Sequence, residues 1–183
     1  MRKMLPLLVL ASILSVSVAR AADYGWHISA SSTDPFVNTS IPQSGLGTIY
    51  LWLSCTTIDG LASVEFDLQS AGFIITGFTP MNGALNAGDN THLLLAVGGC
   101  PRENFLIGNW GFFDPTGLGG NACLVNSAAN GWNVSVDCDT VNPTTHPNAV
   151  GGFANDGSTQ CATDLCTVAV ESETWGGIKT MFR

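Results

Sequence analysis

Residues Thr48–Leu68 read TIYLWLSCTTIDGLASVEFDL. Ile49, Leu51, Leu53 and Cys55 fall on one side of an extended chain, and Tyr50, Trp52 and Ser54 fall on the other. After the polar turn Thr56–Gly60 the alternation resumes, with Ala62, Val64, Phe66 and Leu68 on one face and Ser63, Glu65, Asp67 and Gln69 on the opposite one. Strand side chains alternate with period two, so each run reads as a half-buried antiparallel strand. Two such runs about Ile58-Asp59-Gly60 predict neighbouring strands paired as a hairpin. Ile49, Leu51, Leu53, Val64, Phe66 and Leu68 are the expected core residues of the pair.

The pattern continues on both sides of this stretch. Tyr24–Ser31 reads as a first short strand, followed by a polar loop over Ser32–Gly47. Downstream candidates are Phe73–Thr79, His92–Val97, Asn104–Phe113, Ala122–Val125 and Asn133–Cys138, with MNGALNAGDN (Met81–Asn90) as a loop. Gly, Asn, Asp and Pro clusters separate them, as an all-β sandwich requires. From Asp139 to Gln160 the chain is polar and reads as a long loop, with one strand at Ala149–Ala154. The last segment, VAVESETWGGIKTMFR, places Trp175, Ile178 and Phe182 at i, i+3 and i+7, the spacing of a short amphipathic helix with Ser172 as its cap. The fold class is therefore all-β: a disulfide-stapled antiparallel β-sandwich with a short C-terminal helix.

Met1-Arg2-Lys3, an apolar run over Met4–Val18 and Ala19-Arg20-Ala21 have the layout of a secretory signal peptide with an A-x-A cleavage site. The domains expected are 1–21 signal peptide, 22–166 sandwich and 167–183 tail. The whole chain carries 6 basic and 14 acidic residues. Cleavage after Ala21 would leave three basic residues against fourteen acids, a charge of −11. Such a surface repels nucleic-acid phosphates and anionic membranes and favours basic partners. Six cysteines (Cys55, Cys100, Cys123, Cys138, Cys161 and Cys166) behind a signal peptide read as three disulfides formed in an oxidising compartment, extracellular or periplasmic. Proximity favours Cys161–Cys166 and Cys123–Cys138, which leaves Cys55–Cys100. Zinc is disfavoured, because no C-x-x-C pair occurs and His27, His92 and His146 are scattered.

Segment 48–78, with the turn carrying Gly60-Leu61-Ala62, the strand ending Phe66-Asp67-Leu68 and the hydrophobic strand that follows, resembles cohesin-like domains. These share a broad jelly-roll group with several cellulose-binding modules. The resemblance implies a nine-strand sandwich that binds a protein or carbohydrate partner and has no catalytic role. Six cysteines depart from that pattern. The tail, W-G-x-x-K-x-x-F-R here, is similar to the endings of some uncharacterised bacterial secreted proteins.

No G-x-S-x-G, H-E-x-x-H or phosphate loop is present. Glu65 and Asp67 share a strand face and could imitate a glycosidase carboxylate pair, but a solvated outer face is the simpler reading. Tyr50 and Trp52 stand side by side and, if exposed, would offer a stacking surface for sugar rings or a protein hot spot; otherwise a loop or the C-terminal helix covers them. Tyr50, Trp52, Glu65 and Asp67 are thus the candidate binding residues. A dockerin-type calcium loop starting at Asp137 fails, since positions 5 and 6 are Val141 and Asn142. A looser structural calcium site could use Asp137, Asp139 and Asp156. The expected function is a secreted, non-catalytic binding or structural module for a protein or cell surface. A carbohydrate-binding module and a small secreted glycoside hydrolase are the alternatives.

Overall fold

The computed structural model describes residues 23–131 and 133–157, which form eleven strands and no helix. They are β1 (Tyr24–Ser29), β2 (Gly45–Cys55), β3 (Leu61–Ala71), β4 (Ile74–Pro80), β5 (Ala84–Asn86), β6 (His92–Val97), β7 (Phe105–Asp114), β8 (Asn121–Val125), β9 (Val134–Asp137), β10 (Thr145–Val150) and β11 (Gly152–Ala154). The strands expected from alternation are all present, with shifted ends. Two were not anticipated as such. β5 lies inside the Gly/Asn-rich loop 81–90, and the single strand expected over 149–154 is two, β10 and β11, parted at Gly151. The count is eleven rather than the nine that the cohesin resemblance implies. The C-terminal helix expected around Trp175 lies outside the described residues, as do the signal peptide and the Cys161–Cys166 pairing.

Sheet A runs β4–β7–β2–β1, antiparallel throughout. Sheet B centres on β3. β6 and then β5 flank one side of it. On the other side β9 pairs with its first half and β8 with its second, with β10 beyond β9 and β11 beyond β8. A parallel pairing of β1 with β10 joins the two sheets along one side.

The expected β2–β3 hairpin does not form. β2 pairs with β1 and β7, β3 belongs to the other sheet, and the 56–60 turn carries the chain across the sandwich. Both strands have one apolar face. Placed in opposing sheets they bury those faces against a common core, whereas a hairpin would leave them side by side and in need of another layer. Ile49, Leu51, Leu53, Val64, Phe66 and Leu68 are all buried, as their alternation requires. Trp26 of β1 meets Phe66 of β3 edge-on across the core, with ring centroids 5.2 Å apart.

Gly60 makes the crossing turn possible. Its φ is +77°, and a Cβ there would run into the Cys100 carbonyl. Its own carbonyl accepts hydrogen bonds from the Tyr24 hydroxyl (2.8 Å) and the Cys138 N–H (3.2 Å). This brings β1, the 98–101 loop and the end of β9 together, and there Cys100 and Cys138 form a disulfide, their Cα atoms 5.9 Å apart. That bond overturns both the Cys55–Cys100 and the Cys123–Cys138 expectations. Cys55 and Cys123 are each disulfide-bonded elsewhere, and no described cysteine is free. Proximity in sequence failed as a guide because the turn at Gly60, not chain distance, sets which cysteines meet.

Candidate functional site

The four candidate binding residues are split between the two sheets. Tyr50 and Trp52 project from the outer face of sheet A, Glu65 and Asp67 from that of sheet B. The outer faces of a sandwich look in opposite directions, so aromatics and carboxylates do not form one surface.

Trp52 is covered. The chain leaving β1 folds back over sheet A as a strap, residues 30–37, closed by Ala30 N–H to the Val37 carbonyl at 2.7 Å. The Ser29 hydroxyl donates to the Asp34 carbonyl at 2.5 Å, and the Phe36 N–H donates to the Asp34 carboxylate at 2.9 Å. The Trp52 indole N–H donates to the Ser31 carbonyl at 3.0 Å, and the residue is 7% exposed. Phe36 stands edge-on to His27 at 5.2 Å and closes that side chain in at 6% exposure. The His27 Nε2 has no hydrogen-bond partner among the described residues, and burial pushes its pKa below the ordinary histidine value. Tyr50 stays half-buried, with Ser29 and Asn109 as its register neighbours.

Glu65 and Asp67 hold a loop. One Glu65 oxygen accepts from the Ser127 hydroxyl (2.7 Å) and the Asn130 amide (2.6 Å). Asp67 accepts from the Ala128 N–H (2.8 Å) and pairs with His92 Nδ1 (2.6 Å). The Asp67 hydrogen bond holds the His92 pKa above its usual value. The two carboxylates thus fasten the β8–β9 connection onto β3. A glycosidase pair must instead reach a glycosidic oxygen and a sugar carbon from two sides, with one carboxyl free to donate a proton.

The aspartates proposed for calcium are likewise in use. Asp137 accepts from the Thr144 hydroxyl (2.5 Å) and N–H (3.1 Å) and from His146 Nε2 (2.9 Å). Asp139 accepts from the N–H groups of Val141 (2.8 Å) and Asn142 (3.2 Å), an ordinary Asx turn. Asp156 follows β11, on the exposed surface. Among the described residues no three His, Cys, Asp or Glu side chains converge to hold a metal ion.

His146 forms a cluster that reading along the sequence did not single out. Its Nδ1 meets Asp23 Oδ2 at 2.8 Å, while its Nε2 lies 2.8 Å from the Thr144 hydroxyl and 2.9 Å from Asp137 Oδ2. The available signal was Thr144-x-His146 entering a strand, which puts both on one face. Hydroxyl, imidazole and carboxylate follow one another as in an acyl-transfer triad. The electrostatics argue against that use. Burial pulls the His146 pKa down, but hydrogen bonds to Asp137 and Asp23 outweigh it and leave the value raised. Asp137 is held well below the carboxylate range by the Thr144 hydroxyl, His146 and the Thr144 N–H. Both ring nitrogens face carboxylates that favour the protonated ring, and a protonated ring has no lone pair to accept a proton from Thr144. The cluster ties Asp23, at the start of β1, to the β9–β10 connection.

What sheet B leaves open is an apolar strip. Leu94 of β6, 42% exposed, stands beside Glu65, with Val134 next in register; Leu85, Ala96, Ser63 and Val136 form the adjoining row. A depression of about 140 Å³ lies between Leu94 and the two valines. Glu65, Asp67 and the loop they anchor bound it at one end.

The class this geometry defines is an antiparallel two-sheet β-sandwich with a cohesin-like fold. The cohesin module of a family 33 glycoside hydrolase from Clostridium perfringens ATCC13124 superposes with a TM-score of 0.52 at 11% identity, covering 73% of this chain and 96% of that one. The seventh ScaB type I cohesin from Pseudobacteroides cellulosolvens gives 0.51 at 7% identity, covering 78% and 94%. At such identities the likeness is one of fold. No protein-family model matches the sequence, and no curated protein matches it. No helix among the described residues is long and apolar enough to cross a membrane.

Proposed function

We propose that the protein is an exported, non-catalytic protein-binding module that engages its partner through the outer face of sheet B. The observation that carries this reading is the Leu94–Val134–Val136 strip, an apolar depression formed by exposed Leu94 and two half-buried valines beside Glu65 and Asp67. Exposed contiguous apolar surface on a soluble domain marks interaction sites. The cohesin-like fold supports the general role, and the signal-peptide layout supports export. The strongly acidic chain favours a partner with basic residues around an apolar centre, and the association should weaken with salt.

The test is recovery of a stoichiometric partner from the envelope or culture fluid of the producing organism, with Leu94→Arg and Val136→Arg compared against Ile58→Arg. Ile58 is an exposed aliphatic in the crossing turn, away from the strip. Loss of the partner in the two strip variants, with melting temperatures near that of the unaltered protein, supports the reading. Equal retention by all three variants, or no partner at all, rejects it.

A further inference from the structure

β2 is eleven residues long, but its two edges are not equally used. On one side β7 accompanies it from Gly45 to Leu53. On the other, β1 is in register only from Cys55 to Tyr50, because β1 ends at Ser29 and the chain departs into the 30–37 strap. Residues 45–49 therefore present a strand edge with no described strand beside it. No loop or turn backbone bond among the described residues reaches them either. Alternate N–H and C=O groups of a strand point to opposite sides, so this edge carries unpaired donors and acceptors.

Among the described residues nothing fills the space beside the edge. A cleft of about 370 Å³ lies there, between Leu46–Thr48 on one wall and Phe153 and Asn155 at the end of β11 on the other. β10 follows β1 in parallel as far as Val150, and the chain then crosses to β8 as β11, so the sandwich parts along this line. The cleft occupies the place that a continuation of β1 would fill. Its floor is closed by Phe112, whose ring fills the position a Cβ on Gly47 would take. Its rim has Ile41 and Leu46, 81% and 83% exposed, and the uncharged polar side chains of Ser40 and Gln43. Among the described residues no ionisable group lines it, in a chain whose net charge is −8.

We infer that the 45–49 edge of β2 and the adjoining cleft form a strand-addition site for an extended, uncharged segment of a partner protein. About four to five residues would fit, since five residues of strand span roughly 16 Å. The backbone ladder to 45–49 supplies affinity, and alternate side chains settle between Leu46 and Phe153 or turn out past Ile41. The absence of ionisable lining groups disfavours a charged segment, because its charge would lose water without gaining a counter-charge. This site is separate from the sheet B face and stands or falls independently of it.

The experiment uses the full chain, a capped pentapeptide of alternating threonine and valine as the probe, and the same peptide with N-methylated backbone as its control. Binding is read by fluorescence anisotropy, and its location by amide hydrogen exchange. The expected result is saturable binding of the first peptide with new exchange protection confined to 45–49. The N-methylated peptide should bind at least about tenfold more weakly, because it cannot complete the ladder. Gln43→Trp, which fills the cleft from an exposed loop position, should weaken the probe by a similar factor without lowering the melting temperature. Protection elsewhere, or equal binding of both peptides, overturns the inference. A third outcome also overturns it: amides of 45–49 already protected in the free chain and released when residues 167–183 are deleted, which would make this protein's own tail the occupant.

Discussion

Trp52 sits at an outward position of an alternating strand and is nevertheless buried, since the strap takes up its indole N–H and covers its ring. Trp52→Ala should therefore cost about 3–5 kcal/mol, as truncation of a buried aromatic does, and Trp52→Phe nearer 1 kcal/mol for the lost hydrogen bond. Urea unfolding measures both, and a change below about 0.5 kcal/mol for the alanine variant would mean the strap does not cover the ring in solution. The histidines make a second residue-scale test, with opposite signs. Unfolded histidine titrates near about 6.5. His146 and His92 have raised folded pKa values, so what they contribute is complete below about 6.5 and is lost as pH rises through the folded values. His27 has a lowered folded value, so its contribution is complete above about 6.5 and is lost as pH falls through the folded value. Melting temperatures between pH 5 and 8 should then show His27→Phe flattening the acid side and His146→Asn flattening the alkaline side. Unaltered slopes in both variants would contradict the burial of the one and the double pairing of the other.

At the scale of elements, side chains of β3 fasten the β8–β9 loop to the sheet. Glu65→Ala leaves the buried Ser127 hydroxyl without its acceptor and should cost about 1–3 kcal/mol. Exchange protection at Ala128 should fall when Asp67 is replaced by Ala, while β3 itself keeps its protection, because the loop is then released from the strand. If the whole of β3 loses protection as well, the carboxylates are part of the sheet's own stability. The Cys100–Cys138 bridge closes a separation of 38 residues between the 98–101 loop and the end of β9. Removing it as the double Cys→Ser variant should cost about 2–5 kcal/mol. Peptide mapping of the oxidised protein should recover Cys100 joined to Cys138, and recovery of Cys123 joined to Cys138 would refute this arrangement.

For the whole molecule, alternation was enough to read a sandwich, because burying one face of each strand depends only on which residues are apolar and at what period. Ile49, Leu51, Leu53, Val64, Phe66 and Leu68 went to the core on that basis alone. The cohesin likeness read from residues 48–78 is matched at the level of fold by solved cohesins at 7–11% identity. Alternation does not say which strand lies beside which. A hairpin and a crossing between sheets share one pattern, so β2–β3 pairing, the cysteine partners and the opposite placement of Tyr50/Trp52 and Glu65/Asp67 were all decided by tertiary structure. The same holds for exposure. Whether an outward aromatic meets water depends on a strap from another part of the chain, and whether a strand edge is free depends on where its neighbour stops. Local sequence determined the faces of this protein; the packing of distant segments determined which faces and edges remain open, because burial is a property of what arrives from elsewhere in the chain.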